Sequence, residues 1–175
     1  MSKKSPLHDL AARVPLLGTL QRATVADIWA LCQRQPMGKA LFSRLLALRV
    51  PYSGALGADV EELSNGHARV TLRDRRSVRN HLDSIHAVAL ANLGELTTGI
   101  ALLHAIDGKA VGIVTHLGVD FLKKARGTLT SSCDGDIPDL AAPSEFDLVA
   151  EIRDHAGEVV CRVRATWSLR PVAPK

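Results

Sequence analysis

Asn80, His86 and Glu95 are the residues best placed to do chemistry in this chain. Glu95 is the only formal charge in the run Ser84–His104, SIHAVALANLGELTTGIALLH. Apolar residues fall on every face of that run, which predicts a buried helix. Burying a carboxylate among Ile85, Leu90, Leu93, Leu96 and Ile100 is expensive, so such a group is paired, protonated or functional. Asn92, Thr97 and Thr98 are close enough in sequence to hydrogen-bond Glu95. A structural acid satisfied by them is the plain alternative to a reactive one. Asn80 and His86 lie just before, or at, the start of the helix. Their ordinary readings are a turn residue and a helix-terminal residue.

The surrounding elements must hold these groups. The chain has 175 residues, 46% of them hydrophobic and 3% aromatic, which suits one domain with an aliphatic core. Residues 1–18 read as a weakly structured lead-in. Residues 19–34 read as an amphipathic helix with Val25, Ile28, Trp29 and Cys32 on one side. A short helix follows over 39–49 and stops before Pro51. The period then changes. Residues 55–63 and 66–74 read as strands joined at Asn65-Gly66. A polar loop leads to the long helix, with Asp83 or Ser84 as its cap and Asp107-Gly108 at its end. Strands are expected over 109–121, 127–134, 145–154 and 158–169, with a loop over 137–144 and a frayed tail, RPVAPK. These elements divide into a helical extension (1–54), a sheet-and-helix domain (55–170) and a tail (171–175). A curled antiparallel sheet covers most of the helix, and a second copy of the chain is the simplest cover for the rest.

The order of elements and the Asn80, His86, Glu95 spacing resemble the hotdog-fold superfamily, in its acyl-CoA and phenylacetyl-CoA thioesterase-like branch. The pattern there is a loop Asn, a His six residues later, two glycines, and an acid nine residues after the His. The turn Phe121-Leu122-Lys123-Lys124-Ala125-Arg126-Gly127 is also similar. The resemblance runs from about Gly57 to Leu169. Ala87 and Val88 stand where the two glycines would be. With its helical N-terminus, the chain looks most like an uncharacterised hotdog branch, a domain of unknown function. The resemblance implies an α+β fold, a curved antiparallel sheet wrapped around one long helix. It also implies thioester hydrolysis. Ala87 would supply a backbone N–H to the oxyanion at the helix N-terminus. Asn80 would orient water or the carbonyl, and Glu95 would act as general base or nucleophile. His86 completes this catalytic set, and Val88 and Thr98 would border the substrate. Nine residues along a helix is half a turn out of phase and about 13 Å along its axis. His86 and Glu95 therefore meet at one substrate only if they come from different chains, as in shared hotdog dimer sites.

Arg79 in the basic loop with Arg73, Arg75 and Arg76, and Lys123, Lys124 and Arg126 after the third strand, are candidates for coenzyme A phosphates. Solvated surface charge is their ordinary reading. His81, His86, His104 and His116 match no tight zinc spacing, so no metal is expected. No cofactor is expected beyond coenzyme A as part of the substrate. Cys133 has no helper nearby in sequence for a nucleophilic role. The net charge of +4 is modest, and no basic run is interleaved with aromatics, so no nucleic-acid partner is expected. Glu95, Asn92 and two threonines argue against a membrane span. Three widely spaced cysteines and the absence of a sustained apolar N-terminal run suit a reduced, cytoplasmic protein. The expected partners are an acyl-CoA or similar thioester and a second copy of the chain in a homodimer, with a tetramer as a further possibility. The competing function is a non-catalytic hotdog protein that binds an acyl or aromatic ligand, or a dimeric scaffold. The Ala87-Val88 pair motivates it.

Overall fold

A computed structural model describes residues 23–137 and 140–172. The lead-in, the first residues of the helix expected over 19–34, and residues 173–175 of the tail lie outside them. Helix α1 (Val25–Gln33) starts from Thr24. The Thr24 hydroxyl accepts from the Asp27 N–H at 3.0 Å, and the Asp27 carboxylate accepts from the Thr24 N–H at 2.9 Å. This reciprocal pair satisfies donors that the first turn leaves open. Helix α2 (Gly38–Arg49) follows. Pro51 ends α2 as expected, and it also opens a short turn, α3 (Pro51–Gly54), that the sequence reading did not anticipate. Proline suits a first helical position because its missing N–H has no partner there.

Strands β1 (Asp59–Ser64) and β2 (His67–Leu72) form a hairpin at Asn65-Gly66, where Gly66 takes a φ of +70°. Helix α4 (Ala87–Ile106) is the expected central helix. It is followed by β3 (Ala110–Phe121), β4 (Leu129–Asp134), β5 (Ser144–Arg153) and β6 (Val159–Pro171). The six strands form one antiparallel sheet in the order β1-β2-β4-β5-β6-β3. This is the hotdog architecture the sequence pointed to. β6 runs past Leu169: Arg170 and Pro171 pair with Val111 and Ala110, and the Val172 N–H donates to the Lys109 carbonyl. The first part of the tail is therefore pinned to the sheet.

The helix lies in the hollow of the sheet. Alternate residues of β6, namely Cys161, Val163, Ala165, Trp167 and Leu169, point inward and are buried. Gly94 brings α4 onto this strand: a Cβ there would sit 2.3 Å from the Val163 Cβ. By length and composition α4 could cross a membrane, but most of it is buried inside the fold. The two sheet edges differ. β1 is tied to α2 by the Ser43 hydroxyl, which accepts from the Val60 N–H at 2.8 Å. The outer edge of β3 has no strand partner among the described residues. It exposes Val111, Ile113, Leu117 and Phe121.

Candidate active site

The start of α4 is set by a turn. Asn80 Oδ1 accepts from the Leu82 N–H at 2.9 Å and the Ser84 N–H at 3.2 Å. Asp83 sits in the left-handed region with φ +52°. The Ser84 hydroxyl and the Ile85 N–H both donate to the Ala125 carbonyl. Neither Asp83 nor Ser84 therefore caps the helix. His86 does: its Nδ1 accepts from the Val88 N–H at 3.1 Å, with φ −64° and ψ 140°. A ring that accepts at Nδ1 carries its hydrogen on Nε2, so the outer nitrogen is a donor. Ala87 is the first helical residue and is exposed, and its N–H has no partner among the described residues. It points along the positive end of the helix dipole.

Glu95 is half-buried, and its carboxylate has no hydrogen-bond partner among the described residues. Burial raises its pKa. The threonines do not relieve it. Thr97 donates to the Leu93 carbonyl at 2.7 Å and meets the Ser131 hydroxyl at 2.8 Å. Thr98 donates to the Glu95 backbone carbonyl at 3.0 Å, and its side chain is wholly buried. Thr98 thus stands behind Glu95 in the helix and lines no surface. A wall for Glu95 that the sequence reading missed is Gly99 with Trp167. A Cβ on Gly99 would lie 3.2 Å from Trp167 Cη2 and 3.9 Å from Glu95 Oε1. Period-two alternation along β6 would have put Trp167 on the inward face. Val88, Asn92 and Glu95 follow an i, i+4, i+7 stripe and share one helix face.

Most of the expected phosphate ligands already have partners. Asp74 accepts from Arg79 Nε at 2.6 Å, and that bond holds its carboxyl below the usual range. Lys123 pairs with Glu158 and Asp154. Arg126 donates to the Asp83 and Leu82 carbonyls, bracing the turn before α4. Arg75 caps the carbonyls of Ala55, Leu56 and Gly57. Lys124 is exposed, with no partner among the described residues. Burial pushes the Cys133 thiol up to about 12 and the Cys161 thiol to about 11. Neither is a nucleophile near neutral pH. Among the described residues, no three His, Cys, Asp or Glu side chains gather as a metal site would need.

A groove of about 250 Å³ opens between α3 and the first turns of α4, flanked by His86 and Val88. His86 thus stands at the N-terminus of α4 with the Ala87 N–H, while the Asn80 carboxamide oxygen is engaged in the turn before it. Glu95 of the same chain stands more than two turns into the helix, beyond Asn92 on the face it shares with Val88 and Asn92.

The fold and its relatives define a hotdog-fold, thioesterase-like protein. Within that class, the chain belongs to the family of a domain of unknown function, DUF4442, whose profile matches residues 38–169. The match begins at Gly38 and so takes in α2 and α3. The crystal structure of the structural-genomics protein APC5556 is similar, with a TM-score of 0.74 and 26% identity over 85% of this chain and 99% of that one. PA5026 from Pseudomonas aeruginosa, a protein of unknown function described as a probable thioesterase, gives a TM-score of 0.69 and 26% identity over 79% and 97%. The thioesterase SAV0944 from Staphylococcus aureus shares the fold at a TM-score of 0.62 and 15% identity, over 69% and 99%. No curated protein matches the chain.

Proposed function

We propose that the protein hydrolyses an acyl-CoA or a related thioester at a site shared by two copies of the chain. The observation that carries this reading is Glu95, a half-buried carboxylate with no hydrogen-bond partner among the described residues, in a helix with no other Asp, Glu, Lys or Arg. A purely structural acid would be expected to have found a partner. The thioester carbonyl accepts the Ala87 N–H of one copy, where the helix dipole favours the developing oxyanion. His86 offers its Nε2–H beside that position, and Asn80 acts by shaping the turn that leads into it. Glu95 of the partner copy takes a proton from water as the water oxygen attacks the carbonyl carbon. The C–S bond breaks, the acid leaves, and the thiolate takes up a proton. In the covalent variant, Glu95 itself attacks and water releases the resulting anhydride.

The second copy is supported by the open edge of β3. A strand edge with exposed Val111, Ile113, Leu117 and Phe121 is a template for pairing, and a two-fold axis lets this patch cover itself. Glu95 and Trp167 of β6 both border Gly99, and β6 pairs with the edge strand β3. The competing reading, a binder without hydrolysis, is favoured by Val88, whose 53% exposed side chain stands where the resembled family has glycine. Thiol release from a panel of acyl-CoAs separates the two. Hydrolysis by wild type but not by Glu95→Gln supports the enzyme. Binding without release by wild type supports the binder.

A further inference from the structure

We propose that the groove between α3 and the first turns of α4 holds the acyl group, and that it takes a medium-chain or single-ring acyl group rather than a long fatty chain. This rests on the thioester reading above. His86 and Val88, on either side of the Ala87 N–H, both line the groove, so a carbonyl held by that N–H sits at its mouth. From there the groove follows α4 as far as Asn92, a distance of about 6 Å along the axis. Its floor and opposite wall are largely apolar: Leu56 and Val78 are buried, Ala55 and Tyr52 come from the α3 segment, and Ser77 and Arg79 add polar groups. Arg79, a cation in its lining, is bonded through Nε to Asp74. This largely apolar surface suits the acyl end of coenzyme A better than its nucleotide end. The groove ends at Asn92, and its volume of about 250 Å³ suits a medium chain or a single ring. Asn92 is half-buried at the far end, and its carboxamide has no partner among the described residues. It would favour acyl groups with a polar atom at their tip.

The test is calorimetric binding of non-hydrolysable thioethers: S-methyl-, S-octyl-, S-phenethyl- and S-hexadecyl-CoA. The proteins are wild type, Glu95→Gln, Ala89→Phe and Tyr52→Ala. Octyl or phenethyl should bind wild type at least about tenfold tighter than methyl, from the apolar area they remove from water. Whichever binds better identifies a chain or a ring as the preferred shape. Hexadecyl should gain nothing over octyl. Glu95→Gln should keep this preference, while Ala89→Phe, which fills the groove, and Tyr52→Ala, which opens it, should bring it towards one. Tyr52 is 71% exposed, so its variant folds even if Ala89→Phe does not. No preference in wild type, or a preference that Tyr52→Ala leaves intact, overturns the proposal. If the preference is present but wild type releases no thiol, the hydrolase reading fails and the groove remains an acyl-binding site.

Discussion

Replacing Glu95 by Gln should make the protein more stable and less active at once. Glutamine has the shape of a protonated glutamic acid and no charge to bury. Burial raises the folded-state pKa of Glu95 above its unfolded value. The folded protein therefore holds this proton more tightly than the unfolded chain does. Wild type carries no penalty below the unfolded pKa. It loses stability as pH rises from there through the folded pKa, and the loss is complete above it. Each unit of elevation corresponds to about 1.4 kcal/mol. In a chain of 175 residues, 1 kcal/mol moves the melting temperature by about 2–4 °C. Glu95→Gln should thus melt higher than wild type at pH 8 by a few degrees per unit of elevation, with the gap closing near pH 4. A second readout is built in. Of the two tryptophans, Trp29 packs edge-on to Phe42 in the helical layer, and Trp167 shares the Gly99 wall with Glu95. Ionisation of Glu95 should step the Trp167 emission at a pH above the ordinary glutamate range, and the variant should lack the step. The same pH should mark the acid limb of kcat/KM. If Glu95→Gln melts lower than wild type across the whole range, the carboxylate is partnered and the reasoning is wrong.

Ala87→Pro isolates the proposed oxyanion donor. Proline suits this first helical position, and His86 at ψ 140° already has the extended backbone a residue before proline needs. The variant should fold as wild type by circular dichroism yet lose about a hundredfold to a thousandfold in thiol release. Ile113→Lys with Leu117→Lys charges the open edge of β3. Light scattering should change from a dimer mass to a folded monomer, and thiol release should vanish with the dimer. Cys32, Cys133 and Cys161 are buried, and burial raises all three thiols. Native protein at pH 8 should therefore react with Ellman's reagent only at the rate of global unfolding.

The elements were legible where the sequence uses strong local chemistry. Asn65-Gly66 marked the first hairpin, and Asp107-Gly108, both at positive φ, ended α4. The continuous apolar run marked α4 itself. The start of α4 was not legible, because Asp83 and Ser84 are good caps in isolation. What overrides them is a contact 41 residues away, the Ala125 carbonyl that takes the Ser84 hydroxyl. The α3 turn was not legible, because a proline that stops one helix is equally suited to open the next. At the site, the spacing of Asn80, His86 and Glu95 carried the candidate catalytic groups. It could not show that Thr98 is back-bonded to its own helix, nor that Arg79, Lys123 and Arg126 already have partners. Those depend on which strands and turns become neighbours. The groove was hidden for the same reason, since Tyr52 and Val88 approach one another only once α3 packs beside α4.

The central claim is that one active site is built from two chains, and mixed dimers test it most directly. Glu95→Gln lacks the base, Ala87→Pro lacks the oxyanion donor, and each homodimer should be nearly inactive. In a mixed dimer, one of the two shared sites recovers both groups, from the Ala87 of one chain and the Glu95 of the other. Unfolding and refolding the two variants together at equal amounts makes about half the dimers mixed, each with one good site. The mixture should regain about a quarter of the thiol-release rate of wild type carried through the same procedure. A mixture no more active than its two components, with mixed dimers confirmed by native mass spectrometry, would contradict the shared site.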